Sequence, residues 1–186
     1  MKKLIIFFPV ILILLSSSSF AQTKFALSAT GGVNIGMSDF AETYGNGYNG
    51  TVTFLYSAVV STDLTFSISY NKWNKEERSF TSIPLLAGFR FYFPALGIRF
   101  YLPGFFGLHI TTSEAELPTA EINGEIIGGN VVSFSNNHFG FGIGAGVVIP
   151  LAPKFSLDIN TTYNSISTTE PNSNYISING GILFGL

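Results

Sequence analysis

The sequence predicts an all-β fold in which eight antiparallel strands close into an up-and-down barrel that spans a membrane. Three observations carry this prediction. Apolar and polar residues alternate with a period of two through residues 24–186, which is the periodicity of strands and not of helices. The connections between the alternating segments are long and short in turn. Only 11% of the residues are charged and 46% are hydrophobic, against about 25% charged residues in soluble domains.

The first segment of the chain has the pattern of an export signal. Lys2 and Lys3 supply a basic start, Leu4–Leu15 is an apolar run, and small residues precede Ala21. This predicts a secretory signal peptide over residues 1–21 and a barrel domain over residues 22–186. A membrane anchor helix is the alternative, but the apolar run is shorter than the roughly 20 residues that span a bilayer.

Eight segments of the remaining chain alternate as half-buried strands do. They are Lys24–Gly36, Tyr48–Ala58, Asp63–Trp73, Phe80–Phe93, Leu96–Thr112, His138–Ile149, Lys154–Ser165 and Tyr175–Leu186. In that order their apolar faces begin at Phe25, Tyr48, Leu64, Ile83, Ile98, Phe139, Phe155 and Ile176. Their opposite faces begin at Ser28, Asn49, Thr65, Ser82, Arg99, Gly140, Ser156 and Ser177. We expect no helix in any of them.

The lengths of the connections indicate how the strands run. Three connections are tight: Val59–Thr62, Pro94-Ala95 and Pro150–Pro153. Four are longer: Met37–Gly47, Asn74–Ser79, Ser113–Asn137 and Ile166–Asn174. Short periplasmic turns and long external loops are typical of outer-membrane barrels. The sequence therefore places both chain ends on the periplasmic side.

The third long connection carries two further strand-like pieces. These are Thr119–Ile126 and Asn130–Ser135, on either side of Gly128-Gly129. We expect them to form a hairpin that extends the fifth and sixth strands beyond the membrane. A ten-stranded barrel is the alternative.

The composition of the polar face decides which face points into the barrel. It consists of Gly, Ser, Thr and Asn with four charged residues, Asp63, Arg90, Arg99 and Asp158. This is a poor surface for water, but small residues suit a narrow lumen, so the apolar face is expected to contact lipid. Outer-rim aromatic residues should then form an interfacial girdle: Tyr48, Tyr70, Trp73, Phe80, Phe139, Tyr163 and Tyr175. A soluble β-sandwich with an aromatic core is the alternative.

Several of these patterns together resemble a known family. The run Ile83–Phe93 followed by Tyr101–His109, the opening Gly45–Gly50 and the glycine-alternating sixth segment resemble the OmpX/OmpA-like outer membrane protein β-barrel domain family. The resemblance covers essentially the whole chain. It implies a plugged lumen that holds buried ion pairs, for which Arg90, Arg99 and Asp158 are the candidates. Many members end on an aromatic residue, whereas this chain ends Phe184-Gly185-Leu186.

A second group of candidate residues lies toward the outer surface. His109 and His138 share the polar face at the outer ends of the fifth and sixth segments. Some outer-membrane barrels are lipid-modifying enzymes that use His, Ser and an acidic residue there, so these two are the catalytic candidates. The third loop is acidic and offers candidates for surface interaction: Glu114, Glu116, Glu121 and Glu125. We expect no catalysis, no cofactor and no bound metal.

The expected function is a structural or surface-interaction role, similar to adhesion, through the external loops. The alternatives are a lipid-modifying enzyme of the acyltransferase or deacylase type, a narrow channel, and a soluble lipocalin-like carrier. Expected partners are outer-membrane lipid and lipopolysaccharide and an extracellular protein or host surface, with the protein itself a monomer. A formal net charge of −2 with 9 basic residues argues against nucleic acid. The absence of cysteine excludes disulfides and Cys-ligated metals.

Overall fold

A computed structural model of the protein describes residues 25–76, 78–93, 97–116, 120–122, 125–127, 131–168 and 173–186. Ten strands and one helix occur in these ranges. The strands are β1 (Phe25–Gly36), β2 (Asn46–Val59), β3 (Thr62–Lys75), β4 (Arg78–Phe93), β5 (Arg99–Glu116), β6 (Ala120–Ile122), β7 (Glu125–Ile127), β8 (Val131–Ala152), β9 (Phe155–Ile166) and β10 (Ser173–Gly185). The helix α1 (Ser38–Tyr44) lies between β1 and β2. The predicted signal peptide lies outside the described residues and stays a prediction.

Eight of the strands close into one antiparallel barrel in the order β1-β10-β9-β8-β5-β4-β3-β2. Successive long strands are neighbours, and the first strand pairs with the last from Ala26↔Gly185 to Gly36↔Tyr175. The up-and-down eight-stranded prediction is therefore confirmed. The ten-stranded alternative is wrong, because β6 and β7 pair only with each other in a separate two-stranded sheet.

The third loop is divided differently from the prediction. The short hairpin consists of β6 and β7, and the second predicted piece belongs to β8, which begins at Val131. Strands β5 and β8 pair continuously from Gly104↔Ile143 out to Glu116↔Val131. The fifth and sixth long strands are thus extended as expected, but by their own residues. Gly128-Gly129, the expected turn, falls outside the described residues.

The first loop contains a helix that the sequence analysis did not predict. Phe40 and Tyr44 stand one turn apart on α1, so both reach the same side of the helix, and Phe40 is buried. Seven residues are too short a segment for a helical hydrophobic period to be recognised. In the described part of the chain, no helix has the length and hydropathy to cross a membrane.

The two faces of the barrel wall are divided as the alternation predicted. Apolar side chains such as Leu64, Phe66 and Ile68 on β3 are exposed on the outer surface. The intervening positions are buried and polar, among them Ser28, Asn34 and Ser82. A transmembrane barrel places its apolar band toward lipid in this way.

Part of the predicted outer girdle is wrong. Tyr48, Tyr70, Phe139 and Tyr163 are exposed on the outer face as expected. Trp73, Phe80 and Tyr175 are instead buried, with Trp73 fully so at 0% exposure. Each shares the parity of a buried lumen residue two positions away: Asn71, Ser82 and Ser177. Strand parity therefore determines their direction, and the preference of aromatic rings for the interface does not.

Candidate functional site

An aromatic cluster closes the outer end of the lumen. The ring of Phe40, on α1, lies 5.2 Å from that of Trp73 and 5.3 Å from that of Phe80. Tyr44 packs against Phe40 at 5.2 Å, and Trp73 meets Tyr175 edge-on at 4.8 Å. These are the distances of favourable aromatic contacts. The first external loop thus folds back and fills the mouth of the barrel.

Beneath this cluster a chain of hydrogen bonds follows the barrel wall. Its members lie on seven successive strands of the barrel: Asn164, Ser177, Asn34, Asn49, Asn71, Ser82 and His109. Asn164 Nδ2 donates to Ser177 Oγ at 3.2 Å, and Ser177 Oγ donates to Asn34 Oδ1 at 2.6 Å. Asn49 Nδ2 also donates to Asn34 Oδ1, at 2.7 Å, and Asn34 Nδ2 donates to Asn71 Oδ1 at 3.1 Å.

The chain of hydrogen bonds ends at His109. Asn71 Nδ2 donates to the Ser82 carbonyl at 3.3 Å, and the Ser82 hydroxyl lies 3.2 Å from His109 Nδ1. The ring of His109 covers Gly140 on β8, where an added Cβ would collide with it. Hydrogen-bonded networks of buried polar groups make a lumen rigid. His109, with 2% exposure, has a place in this network that accounts for its burial.

The two catalytic candidates are opposite each other in the β5–β8 pairing, and each has its own hydrogen-bond partner. His138 Nδ1 lies 3.2 Å from the carbonyl of Ser167. Because a carbonyl only accepts, Nδ1 carries a proton, and in the neutral ring Nε2 is an acceptor. In the described residues neither histidine pairs with a carboxylate. The nearby Ser113 and Glu114 are engaged elsewhere: Ser113 accepts from Tyr44 at 3.4 Å and Glu114 accepts from Ser79 at 3.0 Å.

The inner half of the lumen is held by a buried ion pair. Arg90 Nη1 lies 2.8 Å from Asp158 Oδ2, and the Asp158 side chain has 0% exposure. Asp158 also accepts from Ser28 Oγ at 2.9 Å and from the Tyr101 hydroxyl at 2.6 Å. The Arg90 guanidinium lies 4.5 Å from the centre of the Tyr101 ring. The carboxylate therefore has a charged partner and two further donors, which is what a buried charge requires.

Arg99, the third predicted member, does not join this pair. Its guanidinium lies 5.0 Å above the Tyr92 ring, beside the periplasmic end of the barrel. Asp63, which faces the lumen from β3, accepts from Ser57 Oγ at 2.7 Å. The sequence analysis missed the roles of Ser28 and Tyr101, although both have lumen parity on strands that pass Asp158.

Apolar and aromatic residues close the lumen below the ion pair. Leu55, Tyr92, Tyr101, Val148 and Leu183 pack into a buried cluster near the periplasmic turns. Between the two clusters remains a cavity of about 80 Å³ lined mainly by Ser, Thr and Asn side chains, enough for several water molecules. The lumen is therefore filled at both ends.

The glycines of β8 make this filling feasible. Gly140, Gly142 and Gly146 face the lumen beside large side chains of β5. A Cβ added at these three positions would collide, in that order, with the rings of His109, Phe105 and Tyr101. The alternating glycines thus leave the space into which the lumen-filling side chains of β5 pack.

Outside the membrane, β5 and β8 continue as a projecting hairpin, which we call the external hairpin (residues 111–116 and 131–136). Its pairs run from Thr111↔Asn136 to Glu116↔Val131. Six residues per strand at 3.3 Å each give a projection of roughly 20 Å. Glu114 and Glu116 lie on it, while Glu121 and Glu125 lie on β6 and β7. Val131 and Phe134 are 61% and 65% exposed.

Comparison with known proteins agrees with this architecture. A family model described as the outer membrane protein beta-barrel domain matches residues 8–184. A search of curated proteins finds no significant match.

Three solved structures are similar in fold. Neisserial surface protein A is 16% identical, with 86% of this chain and 96% of that chain covered and a TM-score of 0.64. A major outer membrane protein from Thermus thermophilus is 12% identical, with 89% and 100% covered and a TM-score of 0.59. Ail, the attachment invasion locus protein of Yersinia pestis, is 15% identical, with 87% and 97% covered and a TM-score of 0.53. At these identities the likeness establishes the fold.

Proposed function

Because the chain belongs to the outer membrane protein β-barrel domain family, and so lies in the outer membrane, we propose that it is a non-enzymatic surface-interaction protein. The external hairpin binds an extended segment of an extracellular protein along the free edge of β8. The observation that carries this proposal is the edge itself. Pairing between β8 and β9 starts at Gly140↔Ile166, and in the described residues no strand covers β8 on that side beyond Phe139.

The backbone groups of that edge can be assigned. Ser167 N–H donates to the Phe139 carbonyl at 2.9 Å, so the backbone groups of Phe139 point toward the β9 side. In a regular antiparallel strand this direction recurs at every second residue. Val131, Ser133, Ser135 and Asn137 therefore direct N–H and C=O groups toward the free edge. Such a row is a template for an added strand, in which main-chain hydrogen bonds provide the affinity.

Exposed apolar side chains flank the edge on both faces of the hairpin. Val131 lies on the outer face and Phe134 on the opposite one, and both are more than half exposed. Their contact with an incoming strand would bury apolar surface worth about 25 cal/mol per Å².

The names of two proteins of similar fold agree with a role at the cell surface. One is a surface protein of Neisseria and the other an attachment invasion locus protein. Those descriptions belong to those proteins, and the likeness to them is one of fold. They support the proposed class of function, a role at the cell surface. They do not identify the binding partner.

The lumen supports the absence of catalysis. Both His109 and His138 have lumen parity, so their side chains do not point toward the lipid. The partner of His109 is Ser82, and Ser82 also accepts from Asn71 through its carbonyl. These groups are engaged in holding neighbouring strands together.

Removing the backbone N–H of Ser133 tests whether the free edge of β8 binds a peptide. Random twelve-residue peptides displayed on phage would be selected on the protein in lipid nanodiscs. Ser133→Pro removes an edge N–H without affecting the pairing to β5, and proline is tolerated at edge positions. Selected peptides should lose tenfold or more in affinity for Ser133→Pro and bind Ser133→Ala, which keeps the N–H, as they bind the parent. Unchanged binding to Ser133→Pro, or no selected peptide, would contradict the proposal.

A further inference from the structure

A cleft opens outside the membrane between α1 and the inner face of the external hairpin. It has a volume of about 280 Å³, and its walls include Asp39 and Tyr44 on one side and Phe134, Asn136 and His138 on the other. This is close to the lower end of the range for small-molecule sites, about 300–1,000 Å³. The cleft is lined by side chains of β8, whereas the free edge of that strand presents backbone groups.

Strand parity determines which side chains of β8 enter the cleft. Phe134, Asn136 and His138 continue the lumen-facing parity of Gly140 above the barrel mouth. Val131 has the opposite parity and points away. Phe134 is 65% exposed, and its ring stacks on no other ring in the described residues. A large apolar ring thus faces a cleft whose other groups are mostly polar.

Several polar groups of the cleft have unused hydrogen-bonding capacity. The Asn136 side chain bonds to no other residue that the structure describes, since Thr111 Oγ1 donates to its backbone carbonyl. His138 Nδ1 is occupied by Ser167, which leaves Nε2 as an acceptor. Asp39 is exposed, and Thr43 Oγ1 donates to its backbone carbonyl and not to its carboxylate. The Phe134 ring is therefore surrounded by one amide donor, from Asn136, and by three types of acceptor: the Asn136 amide oxygen, His138 Nε2 and the Asp39 carboxylate.

We propose that this cleft binds a neutral saccharide, about one sugar ring at a time. A sugar presents C–H groups that pack on an aromatic face and hydroxyls that both donate and accept hydrogen bonds. Phe134 provides the face, and Asn136, Asp39 and His138 bind the hydroxyls.

Other ligand classes match the cleft less well. Among the described residues no lysine or arginine lines it, and Asp39 repels anions, so a phosphate or sulfate group would lack a partner. In the described residues no three His, Cys, Asp or Glu side chains converge as a metal site requires. An acyl chain would leave the Asn136 side chain and His138 Nε2 covered without hydrogen bonds, which is costly for buried polar groups.

Saturation-transfer NMR on the protein in lipid nanodiscs tests the proposal, with N-acetyllactosamine and lipid-free core oligosaccharide of lipopolysaccharide as probes. Nanodiscs avoid detergents with sugar headgroups, which would occupy the cleft. We expect at least one probe to receive saturation, and Phe134→Ala to weaken its affinity tenfold or more. Val131→Ala, which shortens an equally exposed side chain on the opposite face of the same strand, should change affinity less than twofold.

The affinities of the parent and the variants for the two probes decide whether the saccharide site exists. Transfer to neither probe, or equal affinity in Phe134→Ala and the parent, would overturn the saccharide site. If Phe134→Ala does not fold, Asn136→Ala replaces it, with a loss of at least threefold expected and unchanged affinity overturning the proposal. Which probe binds identifies the source, a glycan of another surface or the cell's own lipopolysaccharide. Ser133→Pro should leave saccharide binding intact, so the edge and the cleft can fail independently.

Discussion

Asp158 is the residue on which the inner lumen depends most. It accepts hydrogen bonds from Arg90, Ser28 and Tyr101 and has no exposure to solvent. Asp158→Asn removes the charge and leaves the Arg90 guanidinium buried and unpaired. Breaking one partner of a buried pair costs about 3–5 kcal/mol. We therefore expect the urea midpoint of the refolded protein in lipid vesicles to fall by the equivalent of that free energy.

The matched control removes both charges together. Arg90→Met combined with Asp158→Asn leaves an amide whose oxygen accepts from one of the Ser28 and Tyr101 hydroxyls and whose NH2 donates to the other, and it leaves no unpaired charge. Replacing a buried ion pair by neutral groups is often close to neutral in stability. The double variant should thus unfold at a higher urea concentration than Asp158→Asn alone. The reverse order, or an unchanged midpoint in Asp158→Asn, would show that the pair does not hold the lumen.

At the scale of the residue, the sequence predicts which face of the barrel wall a side chain occupies, but not which residues that side chain contacts. The lumen direction of Arg90 and Asp158 follows from alternation, since each sits between outward-facing apolar residues. Arg99 has the same parity and yet stacks on Tyr92, because the ring of Tyr92 is within its reach at the periplasmic rim. For Trp73, the preference of aromatic rings for the interface predicts the girdle, whereas its shared parity with the polar Asn71 predicts the lumen, where it is buried.

At the scale of the element, α1 acts as a plug held by one ring. Phe40 contacts the rings of Trp73, Phe80, Tyr44 and Tyr175, and Lys75 Nζ donates to the Glu42 carbonyl at 2.6 Å. Phe40→Ala removes the central ring at a cost of about 3 kcal/mol. Local opening of α1 should then accelerate amide hydrogen exchange at residues 38–44 by roughly 100-fold.

The barrel itself should hardly respond to that change. Its strands pair in a closed ring that does not include α1, so exchange in β1 and β2 should stay as slow as in the parent. Glu42→Ala is the control, because its backbone carbonyl still accepts from Lys75 and its side chain is exposed. Equal exchange of α1 in Phe40→Ala and the parent would refute the plug.

The sequence predicts the strands better than their connections. Alternation persists for more than ten residues in each of the eight barrel strands, and one-residue slips would turn the apolar face away from lipid. In the loops this constraint is lost. The external hairpin could not be assigned correctly because Val131–Ser135 alternates equally well as a separate piece or as part of β8. The helix was missed because its two aromatic residues pack on distant strands, which the local sequence does not show.

At the scale of the whole molecule, the protein is a barrel filled at both ends, and the two binding surfaces proposed for it lie outside the membrane. Two buried clusters and an ion pair fill the lumen, which argues against a narrow channel as its main role. The projecting hairpin carries both the free edge and one wall of the cleft. The low charge of the sequence reflects a barrel surface that faces lipid. The exposed apolar side chains that lipid does not explain are Val131 and Phe134, on the external hairpin.

Thiol labelling in intact cells tests this arrangement most directly, because the chain contains no cysteine of its own. Val131→Cys places a thiol on the external hairpin, and Lys154→Cys places one in the exposed turn between β8 and β9. A maleimide coupled to a polymer too large to cross the outer membrane should modify Val131→Cys in intact cells. It should modify Lys154→Cys only after the outer membrane is permeabilised. Modification of Lys154→Cys in intact cells, or protection of Val131→Cys there, would contradict the account.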